Sequence, residues 1–433
     1  MPGLLRDILR YAPLLAVAAL PCAMAQDDQT RSPEVAPITL RDAIDRMFEH
    51  NPELERFELR LRAQDGRIAN ATLRPPIELR AEVENFAGTG TTRRFEGAEA
   101  TFAISQVIEL GGKRDHRRTV ALAARDLIEV EREAAVLDAV AEVTRRFIRV
   151  AADQEQLALT RRATELARST LETVQRRVEA ARAPEAELHR ARIALARAII
   201  EEEHAEHALL TSRRMLAATW AATEADFGAV AGDLFRLPQV PPFQSLVAAI
   251  ERNPDFLRFA SEVRLREAEL RLAQSRARAD LSLTAGVRRL ELSDDQALVL
   301  GFSVPLFSGS RAQGQVTEAR AQRELVDVER EAHRVQVLAR LYGLYQELTH
   351  AVAEATTLTE EVLPEMARAL EATRYAYERG RYGFLEWLDA QREQIAVERA
   401  RIEASANAHL LRAEIERLTN TAVAAASGSG PDD

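Results

Sequence analysis

The sequence predicts a mainly α-helical chain with four β-strands that contribute to a membrane β-barrel, and it predicts an internal tandem duplication. Three observations carry this. Residues 115–181 run in one helical pattern without a Pro or Gly, a length on the order of 100 Å at 1.5 Å per residue. Two hairpin-like stretches, 77–110 and 280–307, alternate strictly between apolar and polar residues, which gives each strand one apolar face and one wet face. Finally, Met47-Phe48-Glu49-His50-Asn51-Pro52-Glu53-Leu54 returns as Ala249-Ile250-Glu251-Arg252-Asn253-Pro254-Asp255-Phe256, at the same place in a second half.

Composition agrees with long helices: aromatics are only 5% while charged residues reach 29%, the balance of coiled coils rather than of a large aromatic core. A net charge of −10 argues against nucleic acid as a partner. Lys113 is the only lysine and Cys22 the only cysteine, so no internal disulfide can form.

In chain order, Arg6 and Arg10, an apolar run from Tyr11 to Leu20 and Ala23-Met24-Ala25 read as a secretory signal peptide over residues 1–25. The alternative, a lipidated Cys22, fits badly with Pro21 before it. Residues 26–38 are polar and read as a flexible lead. The first repeat spans 39–219. Thr39 is placed to cap a helix with Leu40, Ala43, Ile44 and Met47 at helical spacing, and Pro52 opens a second helix that Arg74-Pro75-Pro76 stops. The hairpin 77–110 follows, then the long helix, a break at Arg182-Ala183-Pro184 and a return helix to about residue 218. Residues 220–243, with Gly228, Gly232, Pro238, Pro241 and Pro242, read as an irregular linker.

The second repeat, 244–420, has the same order: helix, hairpin 280–307, a long helix from about residue 311 with a kink at Leu363-Pro364, a turn at 380–383 and a return helix. Residues 421–433 are small and polar and read as a disordered tail. In the first half the two shorter helices together nearly match the long one, roughly 56 residues against 67, so they can stack end to end beside it. No later stretch approaches the ~20 apolar residues of a membrane helix, so a membrane position requires a barrel. Four strands cannot close one, since spanning barrels have about eight or more. Three chains sharing one barrel would supply 12 strands, with the helices continuing from it as a tube.

At this point the chain resembles the outer-membrane efflux protein family, the trimeric channel-tunnels typified by TolC, over about residues 39–420. The resemblance rests on the duplication, on Asn51-Pro52 and Asn253-Pro254, on Gly301-Phe302-Ser303-Val304-Pro305-Leu306-Phe307 with Gly309, and on Tyr377-Glu378-Arg379-Gly380-Arg381-Tyr382-Gly383-Phe384-Leu385-Glu386-Trp387-Leu388-Asp389-Ala390-Gln391. Within the family, Glu84-Asn85-Phe86 and Gln106-x-x-Glu109-Leu110-Gly111-Gly112-Lys113-Arg114 look like the CzcC-like branch that serves heavy-metal pumps.

The resemblance implies a homotrimeric duct in the outer membrane of a Gram-negative bacterium, extending into the periplasm and surrounded by outer-membrane lipid. It implies a periplasmic adaptor and an inner-membrane pump of the resistance-nodulation-division class as partners, with no cofactor and no enzyme activity. It places Glu386 and Asp389 at the periplasmic aperture, where their i, i+3 spacing puts both on one helix face; the competing reading is a solvated helix face. It makes Ala180, Arg182 and Pro184, with Gly380, Arg381 and Gly383, the tips that meet adaptor or pump, against plain helix-hairpin chemistry. His204 and His207, beside Glu203 and Glu206, are the one local set with metal-like spacing, and a charged helix face explains them better. No nucleophile elbow, phosphate loop or zinc signature is visible. Two other functions fit the pattern: a duct for drugs or secreted proteins, and a periplasmic coiled-coil scaffold without a pore.

Overall fold

Asn51 and Asn253 show how the helices are joined. The computed structural model describes residues 36–420, so the signal-peptide, Cys22 and tail expectations lie outside the described residues. A short strand β1 (Ile38–Thr39) leads into α1 (Leu40–His50). The Thr39 hydroxyl accepts from Asp42 N, and the Asp42 carboxylate accepts from Thr39 N at 2.9 Å, a reciprocal cap. Asn51 ends α1 and caps α2 (Pro52–Ala71), accepting from Glu53 N at 2.8 Å. Its amide then donates to the Thr219 carbonyl at 2.9 Å.

Strand β2 (Ile77–Glu84) and β3 (Glu99–Ile108) precede α3 (Lys113–Glu179), 67 residues long. The return helix α4 (Glu185–Ala217) ends in a 3-10 turn that contains Thr219. The Asn51 bond therefore ties the start of α2 to the end of α4, and both pack along α3. A two-residue strand β4 (Val230–Ala231) pairs parallel with β1. This corrects the reading of 26–38 as flexible to its end and of 220–243 as merely irregular. Ile38, Trp220, Phe227 and Val230 are buried in one cluster with Met47, Val143 and Phe147, each worth about 1.5–3 kcal/mol of burial.

The second half repeats the arrangement. Helix α5 (Phe243–Ile250) leads to α6 (Pro254–Ser275), capped by Asn253, whose amide donates to the Arg417 carbonyl at 2.7 Å. Strands β5 (Leu281–Leu290) and β6 (Asp295–Ser303) precede α7 (Ser308–Thr357). The kink expected at Leu363-Pro364 is taken up one turn earlier. Leu358–Val362 forms a π turn before α8 (Leu363–Glu378), because Pro364 has no N–H to continue the ladder. Helix α9 (Phe384–Thr419) returns along α7 and α8, and Leu341, Leu348, Leu411 and Ile415 bury between α7, α9 and α5.

The strands form one sheet in the order β2-β3-β5-β6, every neighbour antiparallel. The helices leave from one end of it, and the loops 85–98 and 291–294 lie at the other.

Candidate functional site

The sheet is inside out for a soluble protein. Register aligns Leu79, Ile104, Ala285 and Leu300 across it, then Ala81, Phe102, Val287 and Leu298 on the next rung of the same face. Leu79, Leu298, Leu300 and Phe302 are 76–83% exposed. The opposite face carries Glu78, Arg80, Glu82, Thr101, Thr284 and Arg288, and on β3 and β5 it is the more covered side. An apolar face this bare, with a polar face behind it, fits lipid outside and water inside. The aromatics Phe102, Phe302 and Phe307 are all largely exposed.

Where sheet meets helices, the Glu109–Arg114 motif is a staple. Gly111 and Gly112 turn the chain at φ +81° and +71°. A Cβ on Gly111 would press on the Arg278 side chain and on the Ser275 carbonyl at 3.1 Å. The Lys113 ammonium, 8% exposed, donates to Asp280 at 2.6 Å and to the Arg278 carbonyl at 2.8 Å. Arg117 grips Glu109 with two bonds. The motif thus fastens the β3–α3 corner to the α6–β5 corner.

The opposite end holds the two helix hairpins. Both long helices close in the same way, with Arg182 N donating to the Arg177 carbonyl at 2.8 Å and Arg381 N to the Ala376 carbonyl at 2.9 Å. Gly380 takes the left-handed position in one turn, and Ala181, which the sequence reading did not single out, takes it in the other. Gly383 is not left-handed (φ −80°); its lack of a Cβ leaves room for the Glu386 carboxylate. Ala180 ends α3 and Pro184 precedes α4. Arg182 and Arg381 are exposed, whereas Arg379 stacks on Tyr375.

Beneath the tips lies a cluster that sequence reasoning missed as a unit. Tyr377, 1% exposed, stacks on Trp387 at 4.9 Å and donates its hydroxyl to Glu187 at 2.9 Å. Burial, with the Glu187 carboxylate, holds its phenol well above the ordinary tyrosine range. The Arg177 guanidinium lies 4.5 Å over the Tyr377 ring and donates to the Tyr377 and Glu378 carbonyls, both at 3.0 Å. Phe384, Leu388, Val174 and Ala191 fill the remainder. The available signal was the aromatic pattern of the Tyr377–Gln391 motif, in which Tyr377, Phe384 and Trp387 are packing and Tyr382 is exposed. Glu386 and Asp389 share the opposite, exposed face of α9, and neither makes an ion pair among the described residues.

His204 and His207 are exposed on α4, and Glu206 is engaged by Arg161 at 2.9 Å. Among the described residues no group of three or more His, Cys, Asp or Glu is placed to hold a metal ion, and no helix is long and apolar enough to cross a membrane.

The outer membrane efflux protein family model matches this chain twice, over residues 43–222 and 246–421. The cobalt-zinc-cadmium resistance protein CzcC of Cupriavidus metallidurans is 29% identical over 392 residues, covering 88% of this chain and 92% of that protein. The nickel-cobalt-cadmium resistance protein NccC of Alcaligenes xylosoxydans xylosoxydans is 27% identical over 75% of this chain and 74% of its own. A membrane protein of Pseudomonas aeruginosa shares the fold with a TM-score of 0.75 at 19% identity, over 93% of this chain and 99% of that one.

Proposed function

The chain belongs to the outer membrane efflux protein family, and on that premise we propose that three copies form the outer-membrane exit duct of a tripartite heavy-metal efflux system. The observation that carries the duct is the bare apolar face of a four-stranded sheet with two open edges. Strand direction alternates from β2 to β6, so the edges run in opposite senses. Copies joined β6 to β2 continue the alternation, and three supply 12 strands, enough to close. The helices extend the barrel into the periplasm as a tube. The matching roles of Asn51 and Asn253 support a tandem duplication over 39–219 and 244–420.

Metal cations as cargo are supported by the resistance named in CzcC and NccC. The duct carries no catalysis and binds no cofactor. A resistance-nodulation-division pump drives transport, and a periplasmic adaptor meets the tips at 180–184 and 380–383. Exposed Arg182 and Arg381 suit acidic groups on that partner. Glu386 and Asp389, repeated by threefold symmetry, form carboxylate rings at the aperture.

Growth of a deletion strain across Co, Zn, Cd, Ni, Cu and Ag salts, with antibiotics and dyes alongside, tests the cargo. Loss of tolerance to one or more metals, restored by the gene, is expected. Loss of drug tolerance alone would keep the duct and discard the metal.

A further inference from the structure

We propose that Arg288 sets the ion preference of the outer mouth, by cancelling part of a carboxylate collar made of Glu82, Glu84, Glu99 and Asp295, an inference that rests on the duct reading with the polar sheet face turned to the lumen. Register places Glu84, Glu99, Leu290 and Asp295 side by side across the sheet, and Glu82, Thr101, Arg288 and Ala297 on the next rung of the same face. Both rungs lie at the loop end, away from the helices.

One guanidinium serves two of these four carboxylates. Arg288 donates to Glu99 at 2.8 Å, to Thr101 at 2.9 Å and to Glu84 at 3.4 Å. Glu82 and Asp295 have no ion-pair partner among the described residues. Glu84 and Glu99 are direct cross-strand partners, a like-charge pair that repels unless a cation sits between them. Deeper rungs hold mostly small or uncharged groups, Ala103, Gly286 and Val299, then Ser105, Thr284 and Gly301, with Arg80 and Glu78 at the β2 edge. A Cβ on Gly286 would come 2.5 Å from the Phe102 carbonyl, so that position stays bare. Fixed negative charge is therefore concentrated at the mouth, where low-dielectric walls focus its field on passing cations. Arg288 holds that charge down.

Bilayer recording of the full-length trimer, inserted in one orientation, with lanthanum chloride added to one side at a time, tests this. Arg288→Gln should lower the half-blocking concentration of lanthanum from the loop side by at least about fivefold, the factor that a pair of unit charges at contact distance in water amounts to, the trivalent ion feeling the lost charge more strongly. Arg288→Lys should restore the parent value. Asp295→Asn, which leaves the Arg288 cluster intact, should weaken block from the loop side and leave block from the helical side alone. Conducting channels whose loop-side block is the same in all variants, or shifts equally from both sides, overturn the role of Arg288. A parent protein that does not conduct overturns the duct reading itself.

Discussion

Asn253 is 1% exposed and satisfies two backbone groups at once, capping α6 through Oδ1 and serving the Arg417 carbonyl through its amide. Asn253→Ala leaves an uncapped helix start and a carbonyl without its donor, at a cost of about 2–3 kcal/mol. A lowered thermal midpoint of the detergent-solubilised protein is expected; a variant that melts with the parent removes any role for the junction in stability. His409 makes a different residue-scale statement. Its Nε2 lies 3.0 Å from the Leu234 carbonyl, and burial holds its pKa below the ordinary imidazole value. Burial lowers His333 in the same way. A depressed folded pKa means the unfolded chain binds more protons in the window between the two values. The contribution is complete above the unfolded pKa, about 6.5, and is lost as pH falls towards the folded one. Thermal midpoints should therefore fall from about pH 7 to pH 5, and less steeply in His409→Gln, which keeps a donor for Leu234. Parallel pH profiles would show that His409 does not titrate differently on unfolding.

Among the elements, strand β6 gives the sharpest test of which face meets lipid. Leu300 is 81% exposed and sits mid-strand opposite Ala285. On a soluble surface Leu300→Arg is nearly free; on a lipid face near the midplane it costs about 2–4 kcal/mol. The amount of assembled protein in the outer-membrane fraction should fall for Leu300→Arg and hold for Thr284→Arg on the other face. Equal amounts for both would place water on both sides of the sheet. These faces were legible because period-2 alternation needs no knowledge of the fold, and the long helices because nothing in 115–181 interrupts them. What stayed hidden depends on distant partners. Tyr377 meets Glu187, 190 positions away, and Arg288 meets Glu99, 189 away. The β1–β4 pair is two residues long, too short for any periodicity. Ala181 in a left-handed turn carries no side-chain signal, whereas Gly380 in the matching turn does.

For the whole molecule, the buried cluster under the tips constrains how an aperture could open. Tyr377, Trp387, Arg177 and Glu187 bind the α3–α4 hairpin to the α8–α9 hairpin within one chain. Separating them would expose several aromatic side chains and strand a buried phenol. Moving both hairpins together, so that one chain slides against the next, leaves the cluster intact and is the less costly motion. The proposed rings of Glu386 and Asp389 then matter because both residues lie on the exposed side of α9, without ion pairs among the described residues and so available to the axis or to a neighbouring copy. Replacing both with Ala removes six carboxylates from a trimer, along with any bonds that pin neighbouring chains. Single-channel conductance of the Glu386→Ala, Asp389→Ala protein should rise, and its preference for cations should weaken, because the proposed aperture makes the charge that attracts them and the contacts that narrow it the same groups. Tyr377→Phe, which loses one hydroxyl bond but keeps the packed ring, should leave both quantities near the parent value if hairpins move as units. Unchanged conductance and selectivity in the double variant would instead make this face an ordinary wet helix surface and put the constriction elsewhere along the tube.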